Sequence, residues 1–163
     1  MIADIVIRDG GPADADVVAE IAVEAWQPIY EHARETLGPE LFSYLHTDWE
    51  GEKARQVRRA CEADTAGEVL VATLDRVVIA FVSFSQRAPE VGEIGNNAVR
   101  PDYQLRGIAT RLYEAALDKL RAAGMLYVSV STGGDPAHAP ARRAYEKVGF
   151  GGELPSVTYH RRL

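Results

Sequence analysis

At 163 residues and 17.8 kDa the chain has the size of one domain, expected to span residues 1–163, and two independent catalytic domains do not fit. Its 47% hydrophobic and 26% charged residues are ordinary globular composition, and a net charge of −6 disfavours a nonspecific polyanion binder, so no nucleic-acid partner is expected. No apolar run reaches the roughly 20 residues of a membrane span and no secretion signal opens the chain, which points to a cytoplasmic protein with no membrane partner.

The opening "IADIVIRDG" alternates as a first strand, and "GPADADVVAEIAVEAW" continues as an amphipathic helix carrying Val17, Ile21 and Ala25 four apart. Pro28 and Pro39 are expected to interrupt the next region. "ELFSYLHTDW" and "EKARQVRRACEA" read as further helix, the second with Val57 and Cys61 on one side and its basic residues mainly toward solvent. From Glu68 the period changes to two. "EVLVATLD", "RVVIAFVSFS" and "EVGEIGNNAV" read as three strands, the first two joined tightly around Asp75 and Arg76. "RGIATRLYEAALDKLRAAG" is a helix with a ladder of Ile108, Leu112, Ala116 and Leu120, stopped by Gly124. "MLYVSVS" is a strand, "ARRAYEKVG" a short helix and "PSVTYHRRL" a final strand. This order implies a mixed sheet packed by helices.

Charge is unevenly spread. Residues 100–147 hold eight basic and five acidic side chains, a net +3, against −9 for the rest. A basic element in an acidic chain suits a phosphorylated ligand. "VRPDYQLRGIATRL" supplies a place for it: Pro101 disfavours helix at Arg100, so the turn falls between a strand and a helix whose first N–H groups lack acceptors. Gln104, Leu105, Arg106, Gly107, Ile108, Ala109 and Thr110 form the expected pyrophosphate cradle, chiefly through main-chain atoms. Gly107 permits close backbone approach, and Arg106 adds charge. An ordinary close helix contact is the competing explanation of Gly107. Neither G-x-G-x-x-G nor G-x-x-x-x-G-K-[ST] is present, so NAD and ATP lack their local signatures.

"VRPDYQLRGIA" resembles the Q/R-x-x-G-x-G/A motif of the GNAT superfamily of acyl-CoA N-acyltransferases, and "ARRAYEKVGF" resembles its second block, in which a tyrosine precedes Gly-Phe. Together they cover about residues 68–150. The resemblance implies an α/β (α+β) fold with a mixed, mostly antiparallel seven-stranded sheet flanked by helices, and a splay between strands four and five. It implies acetyl-CoA as cosubstrate, its pantetheine bonded to the backbone of Ala98 and Val99 and its diphosphate on residues 104–109. Tyr145 matches the tyrosine that in this family often protonates the departing thiolate, with packing on an amphipathic helix as its alternative. His138 stands where the family often has an asparagine, which puts that contact in doubt, although imidazole can supply a directed hydrogen bond. Arg142 is a second side chain within reach of the cofactor, with exposed helix charge as its alternative.

Glu93 is the candidate base for the acceptor amine, which must lose a proton before it attacks a thioester; balancing local sheet charge is its alternative. Asn97 could position water or substrate, and Trp26 and Tyr30 could line the acceptor pocket, although aromatics on amphipathic helices commonly serve the core. The favoured reading is transfer of acetyl from acetyl-CoA to a primary amine, small or peptidic, by direct attack, in a homodimer or a monomer with the dimer preferred. A CoA-responsive binding or regulatory module without efficient transfer is the alternative. Cys61, the sole cysteine, has no nearby catalytic histidine motif, and four dispersed histidines do not make a metal site, so neither a ping-pong cysteine nor a metal is expected.

Overall fold

In the computed structural model, residues 5–62 and 67–163 are described; the start of the first expected strand, residues 2–4, and residue 63 of the third expected helix lie outside them. The elements run β1 (Val6–Asp9), α1 (Ala15–Leu37), α2 (Pro39–Leu45), α3 (Trp49–Ala60), β2 (Gly67–Leu74), β3 (Val77–Ala88), β4 (Val91–Val99), α4 (Ile108–Ala122), β5 (Tyr127–Val130) and α5 (Ala139–Lys147). The sheet order is β1-β2-β3-β4-β5, antiparallel except for the parallel β4–β5 pair.

Why these residues make these elements is mostly local. Asp75 and Arg76 both take positive φ, 48° and 70°, the geometry that folds β2 tightly onto β3. β3 carries an unbroken buried run from Val78 to Phe84, as a central strand covered on both faces must. One face packs Ile79, Val82, Phe84 and Ile94 against Ile108, Leu112, Tyr113, Ala116 and Leu120 of α4 and Tyr145 of α5. The other packs Val69, Val71, Phe81 and Ala98 against Val18, Ile21 and Ala22 of α1 and Val57 of α3. The sheet is therefore the middle of three layers. At the head of α1, Arg8 donates from both terminal nitrogens to the Asp14 carboxylate at 2.8 and 2.9 Å, which ties β1 to the helix.

Three expectations are corrected. The sheet has five strands among the described residues, not the seven implied by the family resemblance. The strand read at 155–163 does not form: residues 151–163 are exposed and join no ladder, because alternation makes a strand only where a neighbouring edge accepts its backbone. Helix α1 runs through Pro28 without a break. That residue lies on the exposed side, where water can take the carbonyl left without a helical donor.

Candidate active site

The splay is a consequence of one extra residue. β4 pairs with β5 from Val91↔Tyr127 to Ile94↔Val130 and there the ladder stops. The β3–β4 register slips in the next step: Phe84 faces Ile94 but Val82 faces Asn97, so Gly95 and Asn96 together oppose Ser83. Such a bulge bends its strand and raises the local twist. A Cβ on Gly95 would stand 2.7 Å from Ser83 Oγ, so a larger residue there would have to displace that hydroxyl, which itself donates to Asn96 O at 3.1 Å. Beyond the bulge, Asn97, Ala98 and Val99 remain paired to β3 on one side while their other edge has left β5. Unpaired amides and carbonyls on that edge are what an extended ligand arm can satisfy.

The two asparagines face opposite layers, and the bulge decides which layer each one meets. Asn96 Oδ1 accepts from Lys53 Nζ of α3 at 3.1 Å, and that ammonium lies 4.4 Å from the ring centroid of Trp26. Asn97 faces α4 and α5. Tyr113 donates its hydroxyl to Asn97 Oδ1 at 2.6 Å, and Asn97 Nδ2 donates to Tyr145 Oη at 2.9 Å and to Gly95 O at 3.1 Å. Asn97 occupies one acceptor site on the Tyr145 oxygen, and the phenol keeps a proton that it can donate. Burial pushes the Tyr145 phenol above its ordinary value, against the opposing pull of its hydrogen bonds with Asn97 and Tyr113. It therefore stays protonated at neutral pH. Burial raises Tyr113 further still, helped by the neighbouring Tyr145.

The loop after β4 makes a short turn at Pro101–Tyr103, passes Leu105 at φ 60° and Gly107 at φ 77°, and enters α4. The first N–H to close back on the helix start is that of Arg111, to Gly107 O at 3.2 Å. The N–H groups of Ile108, Ala109 and Thr110 consequently have no helical acceptor, and they sit at the positive end of a 15-residue helix. A Cβ on Gly107 would point into open space, so its glycine answers to backbone conformation and leaves room in front of the loop. Arg106 donates to Asp102 O at 2.9 Å with its guanidinium 5.4 Å from the Tyr103 ring centroid, and Leu105 is fully exposed. Gln104 Nε2 donates to Val99 O at 3.1 Å, occupying one lone pair of a carbonyl on the splayed edge. These residues fit a diphosphate and an extended amide chain.

The remaining candidates have partners of their own. His138 Nδ1 is 2.6 Å from Asp135 Oδ2, and Arg142 Nη1 donates to Gly133 O and Asp135 O at 2.6 and 2.7 Å, so both brace the loop leading into α5. Burial works against the Asp135 carboxylate, yet its bonds from His138 and the backbone hold its pKa below the ordinary range. Glu93 lies in the last paired stretch before the splay, 3.7 Å from Arg87 Nη1, and is one-third exposed. Its neighbours Gly92 and Ile94 face α4, so Glu93 faces the layer of α1 and α3. Tyr30 stacks on Trp49 at 4.2 Å and meets Phe42 and His46 edge-on, an aromatic cluster among α1, α2 and α3. Cys61 is buried, its thiol pushed up to about 11 by burial and by Asp14.

Lys53 and Tyr113 are missing from the sequence reading. Lys53 was assigned to solvent with its basic neighbours, and nothing in its helical spacing marks the contact with Asn96. Tyr113 lies one position past the Ile108–Leu112 ladder, so it reads as core, which it also is. A groove of about 470 Å³ along α1, lined by Asp16, Glu20, Glu24, Arg58 and Arg100, stands apart from these groups. No set of three or more His, Cys, Asp or Glu among the described residues is placed to hold a metal ion, and no helix there is long and apolar enough to cross a membrane.

A mixed sheet splayed after its fourth strand, with a helix N-terminus behind the opening, defines an acyl-CoA-binding class of fold. The model of the acetyltransferase (GNAT) family matches residues 21–150, and the chain belongs to that family. It is an acetyl-CoA-dependent acetyltransferase that acts on an amine acceptor. The fold is similar to the PaiA N-acetyltransferase of Thermoplasma acidophilum in complex with coenzyme A, at 21% identity and TM-score 0.70 over 94% of this chain and 93% of that one. It is also similar to a ribosomal-protein-alanine N-acetyltransferase from Brucella melitensis biovar Abortus 2308, at 19% identity and TM-score 0.60 over 98% of this chain and 100% of that one. An aminoglycoside N-acetyltransferase in complex with CoA gives 18% identity and TM-score 0.62 over 98% and 96%. No curated protein matches.

Proposed function

We propose that acetyl passes directly from acetyl-CoA to a primary amine in a ternary complex, with Tyr145 as the acid. The amine nitrogen bonds to the thioester carbonyl carbon as the carbon–sulfur bond breaks. Tyr145 gives its proton to the sulfur, and Glu93, directly or through water, takes one from the amine. Backbone N–H groups near Val99 polarise the carbonyl. The observation that carries this reading is the hydrogen-bond chain from Tyr113 through Asn97 to Tyr145, which presents a protonated phenol beside the splayed edge. Acid and base then belong to opposite faces of the sheet, so the amine approaches from the side of α1 and α3, where Trp26 and Tyr30 border its path, and the sulfur departs on the side of α4 and α5. Residues 104–110 hold the diphosphate, with His138 and Arg142 shaping the loop at the other bank.

The acceptor is a small-molecule or peptide amine, the assembly a homodimer and the compartment the cytoplasm, where acetyl-CoA is made available and a lone buried thiol stays reduced. Tyr145→Phe tests the chemistry. It keeps the ring packing, should leave acetyl-CoA affinity nearly unchanged, and should slow single-turnover transfer by about 10²–10⁴-fold. Because the phenol pKa is raised, the wild-type rate should not fall on the alkaline side before about pH 10. A folded Phe variant with the wild-type transfer rate returns Tyr145 to a packing role.

A further inference from the structure

Among the lysines and arginines of α1 and α3, only Lys53 is drawn in from solvent; Arg34, Arg55, Arg58 and Arg59 are all exposed. Arg55 and Arg58 have carboxylate partners in Asp48 and Asp16, and on the sheet Arg87 has Glu93. Lys53 makes no ion pair among the described residues. It donates instead to two neutral oxygens, Gln56 Oε1 at 3.0 Å and Asn96 Oδ1 at 3.1 Å, with its Nζ 4.4 Å from the Trp26 ring centroid. These are the surroundings of an ammonium, and they use two of its three N–H donors. Burial holds its pKa below the ordinary lysine value, and no carboxylate offsets that pull. A half-buried cation without a counter-ion is costly to keep, and packing alone does not ask for it. A methionine would cover Trp26 with a stem of similar reach.

The place is specific as well. Asn96 belongs to the bulge that opens the splay, and Lys53 meets it in the layer of α1 and α3, from which the amine is proposed to come. Glu93, the proposed base, lies on that same face three positions earlier in β4. The face therefore holds a carboxylate suited to the amine and, apart from it, an ammonium with a donor to spare. The acidity of the whole chain does not cancel that ammonium. Around it, Asp16, Glu20, Glu24 and Glu93 are engaged by Arg58, Arg100 and Arg87, and Glu50 and Glu52 are exposed.

We propose that the acceptor is a small amine carrying its own carboxylate, an amino acid or an ω-amino acid, and that Lys53 receives that carboxylate. This rests on the transfer reading above and narrows its acceptor. The carboxylate takes the remaining N–H of Lys53 and supplies the counter-ion it lacks, through a charge-assisted bond that fixes one end of the acceptor. The amine at the other end is left to face the splay. A polyamine instead sets a second ammonium against Lys53, and like charge at a half-buried site discriminates against it.

Matched acceptors test this: glycine, β-alanine, γ-aminobutyrate and the other proteinogenic amino acids against the carboxamide of each, with spermidine as a polyamine, at saturating acetyl-CoA. In each pair the carboxamide has the less basic amine, more of it neutral at a given pH, so intrinsic reactivity favours the carboxamide. Wild type is expected to reverse that order, with kcat/KM about tenfold or more higher for the preferred acid than for its carboxamide. Lys53→Met should raise KM for that acid by about 10–100-fold with little change in kcat, and leave the carboxamide unaffected. Lys53→Arg should keep most of the preference, and Lys53→Glu should move it to the carboxamide and to spermidine. Equal kcat/KM for acids and carboxamides in wild type, or a preference undiminished in folded Lys53→Met, overturns the proposal. Equilibrium dialysis of the radiolabelled acids in the presence of CoA separates it from the transfer reading. Acids that bind wild type about tenfold or more tighter than Lys53→Met, yet are never acetylated, leave the carboxylate site standing and count against transfer. Acids neither bound nor acetylated overturn the site, and turnover of carboxamides or spermidine by the same protein then leaves transfer intact.

Discussion

In the proposed mechanism Asn97 orients the acid. Its Oδ1 is fixed by the Tyr113 hydroxyl, which leaves its amide nitrogen pointing at Tyr145. Replacing Asn97 with Ala should therefore slow single-turnover transfer by about tenfold or more while acetyl-CoA still binds. In a protein already carrying Tyr145→Phe the same change should cost little, because coupled groups are non-additive. Equal losses in both backgrounds would make Asn97 a substrate contact instead. Glu93→Gln addresses the other proton. Its defect should shrink as pH rises and more acceptor amine is already neutral; a loss independent of pH in a rate comparison would assign Glu93 to structure. Tyr145 could be singled out in the sequence as a candidate because a motif of neighbouring residues frames it. The orienting contact was not, since Asn97 and Tyr145 are 48 positions apart and only the bulge turns them toward each other.

At the scale of elements, the strand-to-helix junction proposed as the phosphate cradle is the part that sequence renders best. A proline, a short loop and a helical ladder mark the junction by local rules, and the junction occurs where they put it. The conformational reason for Gly107 was hidden: its φ of 77° belongs to the left-handed region, and the space ahead of it is open. Gly107→Glu therefore opposes binding twice, by backbone strain at the loop and by a negative charge near the helix N-terminus where phosphates would lie. Calorimetry should show acetyl-CoA affinity reduced far more than circular dichroism shows any change of fold. Undiminished affinity in the folded variant would remove the loop from the cofactor site. Helix α1 teaches the converse, for Pro28 reads as a breaker until burial shows that it faces water.

Over the whole molecule, three layers and the order of the first five strands follow from periodicity, because each element carries its own apolar face. The number of strands does not. Segment 151–163 has the composition of a strand, but what a strand pairs with is a property of the assembly and not of its own residues. The described sheet is also divided: β1 to β4 are paired antiparallel, whereas β5 joins in parallel, by four register pairs that end before the bulge. A ligand lying between β4 and β5 bonds to the folded form alone, so acetyl-CoA at 100 times its dissociation constant should raise unfolding free energy by about 2.7 kcal/mol. Differential scanning calorimetry of wild type should show the midpoint climbing with ligand, and Gly107→Glu should lose most of that climb.

The bulge at Gly95 and Asn96 also bears on how fast the molecule can work. By ending one ladder early it makes room for a ligand that is held as a strand is held, through successive backbone bonds along an edge. Coenzyme A must be unzipped from that edge before another acetyl group can arrive. The same single-residue insertion that opens the slot thereby makes release of a carrier held there a stepwise loss of backbone bonds, separate from the proton transfers proposed for Tyr145 and Glu93.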